Sequence, residues 1–172
     1  TDFPRAHGSY ITSSSLKDPE TPWHAPPGVT AIEIMTLVHG GAKCWGISQG
    51  EIASGDYSKN PAYLERKQAL EDDMIARLER QFPGTAEHIE FCESASPMSH
   101  FRYTLAAEGT GYGLAAIPSQ FFANRPDERS PIKGLYLCGA STRSGHGIIG
   151  ALQSGWLAAR TVAKDLGSPI IS

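Results

Sequence analysis

The chain has 172 residues, 40% of them hydrophobic and 19% charged, with a formal net charge of −3 at neutral pH. That length buries one sizeable core or parts of two domains, and the mean hydropathy of −0.26 is that of a soluble globular protein. The acidic balance argues against nucleic acid as a partner, because phosphate binding wants a basic face. No apolar run reaches the roughly 20 residues of a transmembrane helix, and no secretory signal is read. Cys44, Cys92 and Cys138 are odd in number and lack a C-x-x-C pair. They are expected as buried reduced thiols in a reducing compartment, not as metal or redox ligands. Opening on Thr1 without methionine is expected of a fragment or a processed chain.

In chain order, Tyr10-Ile11-Thr12 is β-prone. Lys17-Asp18-Pro19 ends whatever precedes it, since a residue before proline is pushed out of the helical region. Residues 18–28 are rich in proline and read as a surface loop, in which Trp23 packs locally or else covers a pocket. Val29 to Val38 is rich in β-branched and aliphatic residues and predicts a strand of a mixed sheet. Glycines at 40, 41, 46, 50 and 55 mark turns around Cys44-Trp45. Asn60-Pro61 is an N-cap with proline at the first helical position, predicting a helix over about 61–82 that Pro83-Gly84 stops. Its apolar stripe is Leu64, Leu70, Met74, Ile75, Leu78 and Phe82. Asp72 and Asp73 diverge by about 100° on a helix, so they read as a solvated face and not as a metal pair. Ile89 to Glu93 alternates as a half-buried strand and Phe101 to Ala106 reads as another, with Ser94 to Ser99 a loop between them. Gly109 to Gly113 is glycine-rich, but no helix follows closely enough for a phosphate loop.

The C-terminal stretch carries the chemistry. Leu135-Tyr136-Leu137-Cys138 reads as a buried strand closed by Gly139. Ala140, Ser141, Thr142 and Ser144 with Gly145, Gly147 and Gly150 make a loop whose backbone can approach another group closely. A helix follows, with Ala151, Leu152, Trp156, Ala159, Val162, Ala163 and Leu166 on one face and Arg160, Lys164 and Asp165 off it. A strand, a glycine loop and a helix in that order put unpaired N–H groups at the first helical turn, where the dipole favours negative charge. Gly145 to Gly150 spells G-x-G-x-x-G, yet a dinucleotide-binding unit needs a second parallel strand and an acidic residue about 20 positions on. Too few residues follow, so the strand and helix finish a fold and do not open one. His146 and Arg143 are the ionisable side chains of the loop and the natural acid–base candidates, His146 alternatively being a hydrogen-bonded structural residue.

These residues resemble the end of the phytoene desaturase-like flavoproteins, a family of carotenoid desaturases, carotenoid isomerases and retinol saturases. Members close with a strand, a G-A-G-T-H-P-G-A-G-I-P-G-like loop and a small-residue helix, matched here by Gly139-Ala140-Ser141-Thr142, Gly145, Gly147-Ile148 and Gly150. Upstream, Ser15-Leu16-Lys17-Asp18-Pro19 and Ala25-Pro26-Pro27-Gly28 resemble the S-l-x-D-P…A-P-x-G segment of the family's substrate domain. Arg143 stands at the pattern's histidine and His146 at a small residue, while Ser144 and Ile149 replace prolines, departures that bear on the substrate more than on the cofactor.

The resemblance implies an α/β fold, the C-terminal fragment of a two-domain FAD/NAD(P)-binding, Rossmann-type flavoprotein. Residues 1–130 would belong to a mixed-sheet substrate-binding domain, and 131–172 would supply the closing strand, loop and helix of the FAD-binding domain. The segment from Gly109 through Gln120 and Arg125-Pro126 either carries the chain back to the flavin domain or is a plain connecting loop. FAD is the implied cofactor, bordered by Gly139, Ala140, Ser141, Gly147, Ile148, Ile149, Gly150 and Ala151, with His146 and Arg143 as candidate catalytic residues. The implied partners are an N-terminal FAD-binding half, in the same parent chain or a companion polypeptide, and an apolar small-molecule substrate. The expected location is cytoplasmic, with peripheral membrane contact. The implied reaction is hydride transfer to or from flavin on a long isoprenoid or carotenoid-like substrate, as a desaturase, saturase or isomerase. Two alternatives stand beside it, a flavin amine oxidase-like enzyme and a non-catalytic module that binds apolar ligands or partners.

Overall fold

Two segments near the N-terminus find each other as strands because both are β-branched and short. The computed structural model of the chain describes residues 8–115 and 117–169; the start of the expected substrate domain and the end of the C-terminal tail lie outside them. The chain divides into two units, Thr1–Gly109 and Thr110–Ser172. The expected limit of the substrate-binding portion, residue 130, falls within the second unit.

In the first unit β1 (Ser9–Thr12) pairs antiparallel with β2 (Glu33–Thr36), setting Ser9 opposite Thr36 and Thr12 opposite Glu33. The expected mixed sheet is therefore, among the described residues, this two-stranded ribbon. A ribbon of two strands is marginal in water, and helix α3 (Pro61–Gln81) supports it, with the Ser9 hydroxyl 3.4 Å from the Met74 sulfur. Between the strands, the single turn α1 (Ser14–Lys17) leads into Asp18, whose carboxylate accepts from Thr21 Oγ1 and faces His24 at 3.6 Å. Thr21 and then His24 hold the Asp18 carboxyl below its usual range. The Lys17-Asp18-Pro19 motif thus shapes a turn. Trp23 neither packs locally nor covers a cavity; it is 91% exposed.

The core of this unit is aromatic. Ala42, Trp45, Ile47, Tyr57, Tyr63 and Met98 cluster, with Val38, Ile52 and Leu70 against them. Each polar tip in the cluster finds an acceptor or donor, as buried aromatics require: Trp45 Nε1 to His39 O at 3.1 Å, Tyr57 Oη to Met98 O at 3.3 Å, and Tyr63 Oη with Ser96 Oγ at 2.8 Å. Trp45 closes a 3-10 turn over Ala42–Trp45, and Gly46 leaves it in the left-handed region. Gly50 does not mark a turn; it lies in α2 (Gln49–Ser54), opened by a Ser48/Glu51 capping box.

The Asn60 side chain caps α3 through the Tyr63 N–H at 3.2 Å, as its sequence predicts. The buried face is Tyr63, Met74 and Leu78, while Leu64 and Phe82 of the expected stripe stay exposed. Asp73 pairs with Arg77 at 3.0 Å and Asp72 accepts from Gln68 at 3.0 Å, so the acidic pair is a solvated face of ion pairs and hydrogen bonds.

Two expected strands are corrected. Ile89 to Glu93 has no regular structure and meets no strand partner among the described residues, and Phe91 is 81% exposed. Alternation supplies a face, whereas a strand also needs a neighbour to bond. Residues from Phe101 onward form the end of α4 (Pro97–Thr104), which starts inside the expected loop with Ser96 as N-cap, a Ser96/Ser99 capping box and Pro97 at the first position. That pairing of cap and proline outweighs the β-prone Phe101 and Tyr103.

In the second unit the chain runs through 3-10 turns at Pro118–Gln120 and Phe122–Asn124 before reaching α5 (Gly147–Asp165). The expected buried strand at 135–138 is reduced to one antiparallel bridge, Arg129 with Tyr136, flanked by Leu137 N–H to Glu128 O at 2.8 Å. Its continuous apolar character suits a strand covered on both faces, and here it has one neighbour. Asp165 ties this bridge to the last turn of α5, accepting from Arg129 and from Tyr136 Oη at 2.7 Å. The Arg129 hydrogen bond holds the Asp165 carboxyl below its ordinary range. All three cysteines are exposed, against the expectation of buried thiols.

Candidate functional site

The corner from Gly139 to Ala151 is built by a ring of hydrogen bonds. Gly139 N–H donates to Ser154 Oγ at 3.0 Å, Ser154 Oγ meets Thr142 Oγ1 at 2.7 Å, and Thr142 Oγ1 donates to Gly139 O at 2.9 Å. With the Thr142 proton spent on the carbonyl, Ser154 donates to Thr142, and the ring closes. Ser154 is 0% exposed. Two turns follow, Thr142 N–H to Gly139 O and Gly145 N–H to Thr142 O, both at 3.1 Å. Ser154→Ala takes the acceptor from the part-buried Gly139 N–H and the donor from the buried Thr142 hydroxyl, and is expected to destabilise the fold by about 1–3 kcal/mol. A urea midpoint lowered at unchanged slope checks it.

Gly139, Gly145 and Gly147 have φ of 106°, 86° and 81°. A Cβ on any of the three would meet nothing within 4 Å, so they present bare backbone to open space. Gly150 is the opposite case: its Cβ would lie 2.6 Å from Gly145 O and 3.0 Å from Ser144 O. The loop therefore lies directly on the first turn of α5. His146 is the N-cap of α5 but makes no capping hydrogen bond, and no acidic residue stands in the first turn. The N–H groups there are left for another acceptor.

The structure brings the expected cofactor-facing residues, Gly139, Ala140, Ser141, Gly147, Ile148, Ile149, Gly150 and Ala151, to this one corner. Ile148 and Ile149 are 80% and 77% exposed. The expected apolar face of the helix is corrected: Gly150, Ser154 and Ala158 are its buried residues, and Leu152, Trp156 and Leu166 are exposed. Small residues face the loop because the helix packs against backbone. Arg143 Nη1 pairs with Asp127 at 2.9 Å, which engages its charge. His146 lies between aromatic rings, 5.2 Å from Tyr112 and 6.4 Å from Phe121, and makes no hydrogen bond among the described residues.

Four features had no reading as site residues in the sequence. Arg125 is 3% exposed, and its guanidinium donates to Gln120 O at 2.9 Å, Ala140 O at 2.7 Å and Leu114 O at 2.8 Å. Glu128 is buried with Oε1 unpartnered; burial, and then its hydrogen bond with Asp127, raises its carboxyl, while Asp127 is lowered by the same hydrogen bond. Ser144 Oγ is likewise buried without a partner. Gly113 allows residues 110–115 to pass Ser141, whose Oγ would stand 2.5 Å from an added Cβ.

A glycine corner leading into a helix N-terminus without a capping side chain offers N–H groups and a dipole end suited to an electron-rich ring or an anion. Residues 63–163 match the family described as flavin containing amine oxidoreductase, and the chain belongs to that family. It is 34% identical over 114 residues to a chloroplastic prolycopene isomerase of Daucus carota, a match covering 63% of this chain and 18% of that protein. Prolycopene isomerase 2 of an Oncidium hybrid is 33% identical over 106 residues, covering 61% of this chain and 18% of its own length. The chain thus spans less than a fifth of the relatives it matches. No solved structure matches it. These findings agree with the resemblance to phytoene desaturase-like proteins, and the family is one of flavoenzymes with a flavin cofactor, FAD.

The corner fits such a group. Bare glycine backbone adjoins open space, the helix N–H groups carry no capping side chain, and Ser144 Oγ lacks a partner. Among the described residues no helix is long and apolar enough to cross a membrane.

Proposed function

We propose that this chain is the C-terminal part of an FAD-dependent oxidoreductase or isomerase acting on a long apolar, isoprenoid or carotenoid-like substrate. The observation that carries the reading is the corner at 139–151, where bare glycines adjoin an uncapped helix terminus. Bound there, the flavin would supply hydride exchange with the substrate. The chain's own contribution is electrostatic and steric. Fixed N–H groups of α5 stabilise negative charge that develops next to them without reorganising, and Gly139, Gly145 and Gly147 admit a flat ring where a side chain would block it. Ile148, Ile149 and Leu152, all exposed, offer apolar surface suited to a polyene. His146 is the free ionisable group of the corner and the candidate to accept a proton; Arg143, paired with Asp127, is held in place for charge and orientation.

In this reading residues 1–130 serve the substrate domain and 131–172 close the FAD domain. An N-terminal FAD-binding half, in the same parent chain or a companion polypeptide, completes the cofactor site. The protein works in the cytoplasm, in peripheral contact with a membrane that stores the apolar substrate. The name of the prolycopene isomerases supports a polyene substrate. The test is pigment and turnover. Isolated with its N-terminal half, the protein should be yellow, bleach with dithionite and convert prolycopene. Release of peroxide with amines would assign an amine oxidase instead, and a colourless complex without nucleotide would assign a non-catalytic module.

A further inference from the structure

We infer that Arg125 is a positioning residue of the flavin corner that also keeps a positive charge behind it, an inference that rests on the flavin reading above. Its three donors reach carbonyls from three separate stretches, Leu114, Gln120 and Ala140. The Ala140 carbonyl stands at the start of the loop, so the guanidinium sets where that loop begins relative to the segment 110–126. Phe121 covers the guanidinium from one side, its ring centre 5.5 Å away.

Reaching three carbonyls takes the guanidinium's fork of N–H donors, which no neutral side chain has, and the fork carries its charge with it. Carbonyls solvate a guanidinium but do not neutralise it, and a buried charge without a counter-charge is costly. Among the described residues no carboxylate pairs with Arg125. Of the acids that follow Arg125 in the chain, Asp127 is engaged by Arg143, and Glu128 is held above its ordinary carboxyl range by burial and then by its hydrogen bond with Asp127. The positive end of α5 lies at the far side of the same loop, with no acidic residue in its first turn. Two positive sources therefore border one corner, and the matching negative charge is the one that reduction places on a flavin. Arg125 favours the reduced cofactor and, through Ala140, fixes the backbone beside it.

The experiment uses the flavin-loaded protein, with Arg125→Lys and Arg125→Gln, and reads the flavin midpoint potential together with amide hydrogen exchange. Lysine keeps the charge and cannot bridge three carbonyls; glutamine lacks the charge. Exchange should quicken around 114–125 and 140–142 in both variants. Arg125→Gln should shift the reduction equilibrium about tenfold towards the oxidised flavin, about 30 mV for a two-electron couple, while Arg125→Lys should shift it less than about threefold. An unchanged potential in Arg125→Gln, or equal losses in both variants, would leave Arg125 a structural clip and overturn the inference. If Arg125→Gln does not fold, Arg125→Lys decides alone: a wild-type potential with a loosened clip supports the inference, and a tenfold loss sinks it. A wild-type protein that retains no flavin fails before any variant is made, and that result strikes the flavin reading itself.

Discussion

Gly150→Ala should cost the protein its flavin and about 2–3 kcal/mol of stability. In a helix interior the exchange ordinarily stabilises, because alanine is better than glycine by about 1 kcal/mol. Here the new Cβ would sit 2.6 Å from Gly145 O, 2.8 Å from Gly145 C and 3.0 Å from Ser144 O. Those are backbone atoms, which no rotamer change can withdraw. The loop must lift from the first turn of α5, so the glycine backbone and the helix N–H groups no longer converge. Gly155→Ala is the control, since Gly155 lies in the same helix and a Cβ there meets nothing within 4 Å. It should raise stability by up to about 1 kcal/mol and leave flavin content unchanged. Urea titrations and the flavin-to-protein absorbance ratio read both variants. If Gly150→Ala matches Gly155→Ala in both measurements, the loop does not rest on the helix as described.

Where the chain's own chemistry dictates a local shape, the sequence was readable. Asn60-Pro61 starts α3 because a side-chain acceptor and a proline lacking an N–H suit the first turn wherever they fall. The glycines of the corner disclose its backbone for the same kind of reason, since positive φ is cheap for glycine alone. Ser96-Pro97 carries the same message as Asn60-Pro61, but the aromatic residues after it mask it, so the pattern predicts loop and strand where α4 forms. Strands failed where a partner decides: among the described residues 89–93 has the pattern but no strand neighbour, and 135–138 has a single bridge. The orientation of α5 failed because apolar periodicity assumes that the bulkiest residues face the core. Gly150, Ser154 and Ala158 face inward instead, the loop backbone leaving no room for more. Arg125 was invisible as a hub because its acceptors are carbonyls, which every residue has and no pattern records.

Tryptophan at two positions should give opposite answers in the first unit. Trp45 is 0% exposed at the centre of the aromatic cluster, with its ring 6.1 Å from that of Tyr63 and its Nε1 bonded to His39 O. Trp45→Ala removes the largest side chain of that cluster and is expected to cost about 3–5 kcal/mol, which approaches the whole stability of a small domain, about 5–15 kcal/mol. Trp45→Phe keeps most of the apolar volume and gives up the indole donor, leaving the carbonyl of the exposed His39 to water, so about 0.5–1.5 kcal/mol is expected. Trp23→Ala, at a site open to water, should stay within about 0.5 kcal/mol of wild type. Urea unfolding followed by far-ultraviolet circular dichroism ranks the three. The cluster joins the 42–47 turn to Tyr57, Tyr63 and Met98, which come from separate stretches of the chain. Its loss should therefore speed hydrogen exchange in α3 and α4 together, not in the turn alone. A Trp45→Ala protein that loses less than about 1 kcal/mol, or that frays only near residue 45, would mean that the unit is held by the β1–β2 ribbon on α3 instead.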